Sequence, residues 1–321
     1  MTEAPAVKQL LTAIPNLRVA ADEPLARYTR FGIGGAAKLF CDAQDVDAGV
    51  AALSAMKQSG LPHVVIGGGT NLIVADAGFD GIVLRFAGNK ISQTGKRLSA
   101  EAGAYLQVVV DLSISLGLHG MQTMTGIPGY LGGAVYGNAG AYGQSIQERI
   151  ESVLATDGER VLSFSNAECE FQYRDSWFKG HKEWLILSAT LHFEPGDAAE
   201  LAKAARDIRE IRDKKYPPTM KCAGSIFKNL FFASLPPHVQ AEVPPKLVRE
   251  GKVPSAWFLE QAGVMGIRRG DIQVATYHAN LIYNDGAGTA ADLVAVVKEC
   301  KQRVADRFGF ALEEEVQYVG F

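Results

Sequence analysis

Apolar positions first recur at helical spacing over 45–60, where Val46, Val50 and Leu53 share a face. Asp45 is placed to cap that helix, and Gly60-Leu61-Pro62 ends it. The short run Val64-Val65-Ile66 then reads as a buried strand entering Gly67-Gly68-Gly69, and 82–86 reads as a second strand. Over 184–193 the period becomes two, with Leu185, Leu187, Ala189, Leu191 and Phe193 on one side of a half-buried strand. Glu194-Pro195-Gly196 breaks it, and a domain boundary is expected there. Asp197 and Glu200 open a helix whose apolar face is Leu201, Ala204, Ile208 and Ile211. Thr289 and Asp292 open another, with Leu293, Val297, Cys300, Val304 and Phe308 on one face, and 312–318 reads as a closing strand. Helices alternating with strands, without an internal repeat, predict an α+β arrangement.

Glycine changes this picture. Residues 126–143, GIPGYLGGAVYGNAGAYG, hold seven glycines in eighteen residues, which excludes regular helix or strand throughout. Ile127, Leu131, Val135, Tyr136 and Tyr142 make it a folded loop rather than a linker. About sixty residues earlier, IGGGTNLIVAD (66–76) follows a strand. Glycine lets backbone N–H groups approach phosphate oxygens, and Thr70 and Asn71 can add side-chain hydrogen bonds. Two such loops suit a pyrophosphate and the edge of an isoalloxazine ring; turns and close packing account for either loop alone equally well. No G-x-x-x-x-G-K-[ST] is present, and neither loop has the Rossmann glycine spacing.

Length and composition set the frame. The 321 residues fit two or three domains, and 47% hydrophobic with 21% charged residues is ordinary for a soluble globular protein. A net charge of −3 without a basic run gives no footprint for nucleic acid. No secretory signal is expected at 1–21, and no apolar stretch approaches the ~18 residues of a membrane span. Cys41, Cys169, Cys222 and Cys300 lie far apart and read as reduced thiols of a cytoplasmic protein; the six dispersed histidines do not indicate a metal.

TRFGIGG (29–35), IGGGTNLIVAD, the long glycine loop, YRDSWFK (173–179), AGSIFKN (223–229) and LEEEVQYVG (312–320) occur in this order. Together they resemble the UDP-N-acetylenolpyruvoylglucosamine reductase family over nearly the whole chain. The resemblance implies a vanillyl-alcohol-oxidase/PCMH-type FAD-binding domain over 1–195, in subdomains of about 1–85 and 86–195. It implies a C-terminal α+β substrate-binding domain over 196–321 whose last strand returns to the active site. FAD is the implied cofactor, NADPH the electron donor and a UDP-sugar the substrate, in a monomer with neither nucleic acid nor membrane as partner. In the first loop Gly67, Gly68, Gly69, Thr70, Asn71 and Leu72 are expected at the cofactor. In the second, the candidates are Gly126, Ile127, Pro128, Gly129, Gly132, Gly133, Asn138, Gly140 and Ala141.

The implied reaction, in peptidoglycan precursor synthesis, reduces an enolpyruvyl ether to a lactyl ether. Hydride adds at C3, negative charge builds at C2 and the carboxylate, and a proton must reach C2, so the site needs a cation and a positioned acid. Arg174 matches the family's catalytic arginine, although beside Asp175 it also reads as a surface ion pair. Ser225 matches the proton donor, with Lys228 as candidate activator, although Gly-Ser is ordinarily a turn. Glu315 matches the C-terminal acid, although in Glu313-Glu314-Glu315 it also reads as solvated charge. A regular strand would put Val316 and Tyr318 on one side and Glu313, Glu315 and Gln317 on the other. Tyr142, Arg212, Lys228, Asn229 and His278 are the substrate-binding candidates. FKNL stands in place of the family's FKNP, and 231–255 is longer than expected and rich in proline. The short gap after Phe193 leaves no room for an extra tyrosine-bearing loop and points to the shorter, second branch. A flavin oxidase of the same fold and a non-catalytic nucleotide-sugar binding protein are the alternatives.

Overall fold

In the computed structural model, which describes residues 4–321, Asp45 begins its helix as expected: its carboxylate accepts the Ala48 N–H at 2.9 Å. The helix runs Val46–Ser59 and closes on Gly60 in the left-handed region. Its core-facing residues are Ala48, Ala52, Leu53 and Met56, with Val46 and Val50 half-buried at the margin. Residues 1–3, where the expected first domain begins, lie outside the described residues.

Backbone packing separates two units. The first holds the chain through Glu23, Ala36–Gly69 and Phe79–Lys214. Its four-stranded sheet has the order Leu17–Pro24, Ala36–Ala43, Phe79–Phe86, His63–Ile66, and the last three strands are parallel. Asp42 and Arg85, opposite each other on two of them, form a two-point ion pair at 2.8 and 2.7 Å. A five-stranded antiparallel sheet runs Val161–Ser165, Ile150–Thr156, Leu185–His192, Arg97–Glu101, Ile91–Thr94. One apolar cluster, including Leu39, Leu53, Leu84, Leu98, Val153 and Leu187, joins both sheets. The expected period of two along Leu185–His192 holds only after Leu187, because Leu185, Ile186 and Leu187 are all buried.

The helix after the Glu194-Pro195-Gly196 break spans Ala198–Lys215, and Asp197 accepts the Ala199 and Glu200 N–H groups. It stays with the first core, into which Leu201 and Ala205 pack, so backbone packing divides the chain at 214/215 rather than at 195/196. Only its first two turns meet that core. Ile208 is half-buried and Ile211 is 56% exposed, so the expected face of Leu201, Ala204, Ile208 and Ile211 shortens to Leu201 and Ala205.

The second unit comprises Pro24–Gly35, Thr70–Gly78 and Lys215–Phe321. Its long helix, Ala290–Phe308, is capped by Thr289, which accepts the Asp292 N–H, and by Asp76, whose carboxylate accepts the Ala290 and Ala291 N–H groups. Leu293, Val297, Cys300, Val304 and Phe308 are buried as the spacing predicts. The closing strand is shorter than expected, Gln317–Val319, and pairs in parallel with Leu72–Val74. Regular alternation therefore fails at this end: Val316 and Val319 are buried while Tyr318 is exposed. The proline-rich stretch 231–255 is a folded excursion. Leu230 and Phe231 pair with Val253 and Lys252 at its neck, Pro237 starts a short helix to Glu242, and Leu235, Val239 and Val243 pack into the second core.

Residues 225–228 are held from both sides. Ser225 bridges to Leu281 and Ile226 N–H donates to Asn280 C=O, while on the other side Glu315 N–H donates to Ile226 C=O and Lys228 N–H to Glu313 C=O. The Asn280 side chain, 2% exposed, accepts from Ile226 and Phe227 N–H at 3.2 and 2.9 Å and donates to Phe227 C=O and Ser255 Oγ at 2.9 and 2.7 Å. Replacing it by alanine removes four buried hydrogen bonds at once and strands the Phe227 N–H. Asn280→Ala is expected to cost about 2–4 kcal/mol of stability, read from the urea midpoint, well above the cost of an exposed asparagine replaced the same way.

Candidate functional site

In the first unit the two glycine-rich loops meet. A Cβ on Gly68 would come within 3.2 Å of Gly129 Cα, and one on Gly67 within 3.8 Å of the Gly133 amide nitrogen. Gly126 and Gly129 have φ of +80° and +112°, a region closed to most side chains. The amides of this second loop are largely spent inside the protein. Gly126 N–H donates to Gln107 Oε1, Ile127 N–H to Met124 C=O and Gly132 N–H to Ala102 C=O. The loop therefore contributes shape, with exposed Pro128 and Gly133 at its open side, and phosphate-directed N–H groups are better sought at Gly67–Gly69. Nothing lies within 4 Å of where a Cβ on Gly133 would stand. Glycine backbone with open space beside it, close to the Gly67–Gly68 approach, fits a flat ring system lying against backbone, so the residues present suit a flavin dinucleotide.

The Asn138 side chain is turned into the protein. It is 3% exposed, and its amide donates to Gln147 Oε1 and Gln172 C=O while accepting the Gln147 N–H. That side chain is a strut fixing the loop. Beyond it, Gly140 and Ala141 pair with Ser145 and Gln144, and Tyr142 stands at the hairpin tip with φ +53° and 51% exposure.

Arg174 is anchored to this hairpin. It sits in a tight turn closed by reciprocal Gln172–Asp175 backbone hydrogen bonds, and its Nη2 donates to Gly140 C=O at 2.8 Å. Its φ of +56° is an uncommon conformation for arginine and costs about 1–3 kcal/mol. Asp175 turns back to accept the Ser176 N–H, and the surface ion pair that the dipeptide suggested gives way to the bond with Gly140. Arg212, also in the first unit, packs over Gly126, its Nε 3.1 Å from where a Cβ there would lie.

The second unit brings Ser225 and Glu315 onto adjacent segments, joined by the Glu315 N–H to Ile226 C=O bond of 2.7 Å. Asn71 reaches the same place: its Nδ2 donates to Glu315 C=O, and its own C=O accepts the Gln317 N–H. Thr70 and Leu72 flank it, with Leu72 opposite Gln317. Lys228, the candidate activator of Ser225, pairs with the exposed Glu313 carboxylate. Ser225 Oγ instead lies 3.1 Å from the hydroxyl of Tyr216, a residue not among the candidates drawn from the sequence. Asn229 is exposed, and its Oδ1 accepts the Ser255 N–H.

His278 is 9% exposed. Its Nδ1 accepts the Asn280 N–H at 3.2 Å, which places the proton on Nε2, and Nε2 is buried without a hydrogen-bond partner among the described residues. Burial, then the Lys215 charge, pushes the imidazole from its ordinary 6.5 down to about 4, so it is neutral near pH 7.

Two family models match the chain. Residues 37–159 match the FAD binding domain model, and 216–319 match the model for the C-terminal domain of UDP-N-acetylenolpyruvoylglucosamine reductase. The chain is 56% identical to the UDP-N-acetylenolpyruvoylglucosamine reductase of Solibacter usitatus over 97% of its own length and 99% of the relative's. It is 37% identical to that of Rubrobacter xylanophilus, over 93% and 94%. The crystal structure of the Thermus caldophilus enzyme superposes with a TM-score of 0.73 at 25% identity, covering 94% of this chain and 98% of that one. The fold is a vanillyl-alcohol-oxidase/PCMH-type FAD-binding domain with a C-terminal α+β domain, and the length fits the shorter branch. On these grounds the chain belongs to the UDP-N-acetylenolpyruvoylglucosamine reductase family.

Proposed function

We propose that this chain catalyses the NADPH-dependent, FAD-mediated reduction of UDP-N-acetylglucosamine enolpyruvate to UDP-N-acetylmuramate, a step in peptidoglycan precursor synthesis. The observation that carries the chemistry is the placing of Ser225 and Glu315 on hydrogen-bonded neighbouring segments of a unit that matches the reductase C-terminal domain. When bound, FAD supplies the hydride for C3 of the enolpyruvyl group. The protein's own tasks are to hold the substrate, stabilise the enolate and protonate C2.

Arg174 brings a guanidinium fork, fixed by one N–H bonded to Gly140 C=O and by a strained turn. Ser225 donates the proton: its O–H bond breaks as the C2–H bond forms. Glu315 orients the reacting group from the adjacent segment. Tyr142, Arg212, Lys228, Asn229 and His278 bind substrate, His278 through a neutral Nε2–H. Gly67–Gly69, Thr70, Asn71, Leu72 and the 126–141 loop hold the cofactor, with Asn138 acting through its backbone. The working unit in this reading is a monomer in the cytoplasm, where NADPH and nucleotide sugars are made. No described helix is long and apolar enough to cross a membrane.

The purified protein is expected to be yellow and to oxidise NADPH only when the enolpyruvyl substrate is present; colourless protein that takes up no added FAD would count against the proposal. Ser225→Ala should lower turnover roughly 10²–10⁴-fold while leaving reduction of the flavin by NADPH intact, read by stopped-flow absorbance. His278 gives a pH test. Its pKa is about 4 folded against 6.5 free, so between these values the unfolded chain binds a proton that the folded chain refuses. Stability from this group is therefore complete above about pH 6.5 and is lost as pH falls towards about 4. Urea midpoints should decline over that window, and His278→Gln should flatten the decline.

A further inference from the structure

Ser225 has one hydroxyl proton, and the contact 3.1 Å away with Tyr216 can use it or leave it. If Ser225 donates to Tyr216, its proton points away from any substrate. If Tyr216 donates, the Ser225 proton is available and its oxygen is already supported by a second O–H. We propose that Tyr216 is the positioning residue for Ser225: it donates to Ser225 Oγ, directs the serine proton outward and returns a proton once that one has left. This rests on the reading of Ser225 as proton donor.

The surroundings support that direction. Ser225 cannot swing away, because its backbone is bridged to Leu281 and its neighbour Ile226 is bonded to Asn280. Tyr216 is fixed as well. It follows directly on the Ala198–Lys215 helix, Pro217 stops that helix from continuing, and the Tyr277 hydroxyl donates to Lys215 C=O at 3.1 Å. The Lys215 ammonium lies 5.1 Å from the Tyr216 ring centroid, a cation–π contact that helps hold the ring. Lys228, the candidate activator of Ser225, is paired with Glu313. A phenol is a stronger acid than an aliphatic hydroxyl and is the better partner for an oxygen losing its proton.

The step balances without a further reagent. The Ser225 O–H bond breaks as C2–H forms, the Tyr216 proton passes to Ser225 Oγ, and the half-buried phenolate recovers a proton from solvent.

The test is a double-mutant cycle on the flavin-loaded enzyme. Tyr216→Phe keeps the ring and removes the hydroxyl. It should lower turnover of the enolpyruvyl substrate about ten- to hundred-fold, with little change in KM and an unchanged rate of flavin reduction by NADPH. Introduced into Ser225→Ala, the same change should cost nothing further, because Tyr216 acts only through Ser225. Wild-type turnover in Tyr216→Phe overturns the proposal. So does a full additional loss in the Ser225→Ala background, or a parallel fall in flavin reduction and melting temperature, each of which assigns Tyr216 an independent or merely structural part. Wild-type turnover in Ser225→Ala alone would instead remove the proton-donor reading on which this one stands.

Discussion

The side-chain amide of Asn280 is the interaction on which the second unit's candidate chemistry depends. It supplies hydrogen bonds to the N–H groups of Ile226 and Phe227 and to the Phe227 C=O, at 2% exposure, where an unmet N–H or C=O is costly. Because it holds 226–227 rigidly, Ser225 on one flank and Lys228 on the other have fixed starting points. The opposite edge of the same segment is free to take Glu313 and Glu315 as backbone partners. The site is thus an extension of sheet-like pairing, achieved where no regular strand is formed. This also accounts for tolerance of Leu230 in place of proline: the chain after Asn229 is led into its turn by pairing with Val253 rather than by a fixed φ.

Much of the fold could be read in advance. The helices at Val46–Ser59 and Ala290–Phe308 carry caps, periodicity and left-handed glycine ends that all agree, and such consistency makes a segment legible. The Ala198–Lys215 helix was readable as a helix but not as to its partner, since periodicity shows a face without showing what covers it. Ile208 and Ile211 continue the apolar stripe after the core beneath it has ended. The closing strand departs from a period of two in a related way: Val316 and Val319 are buried while Tyr318, set on the side of Val316 by regular alternation, is exposed.

The candidate site was legible mainly through its resemblance to a family, and its supports were not. Arg174, Ser225 and Glu315 stand in short matching blocks, whereas Asn280 and Tyr216 act through partners 53 and 9 residues away. A weak signal existed for Asn280, an amide set in the otherwise apolar run Ala279–Ile282, where a buried polar group must find partners. Tyr216 offered only a tyrosine before two prolines, which ordinary turn chemistry explains. Lys228 shows the converse: proximity in sequence to Ser225 suggested activation, and the Glu313 carboxylate took the charge.

Two physical means fix the groups assigned to catalysis. Ser225 and Glu315 are set by pairing, in which each backbone bond supports the next and little strain is stored. Arg174 is set by a turn that forces it to φ +56°, at about 1–3 kcal/mol. That cost is offset locally, by the two Gln172–Asp175 backbone bonds, by the Nη2–Gly140 bond and by Lys179 donating to the Arg174 carbonyl. A long flexible cation confers specificity only when its conformational freedom has been removed before the substrate arrives, and an αL turn removes it at the backbone. A small hydroxyl on a paired segment has a single torsion left to settle. For it one neighbouring donor suffices, and Tyr216 is the group the fold places there.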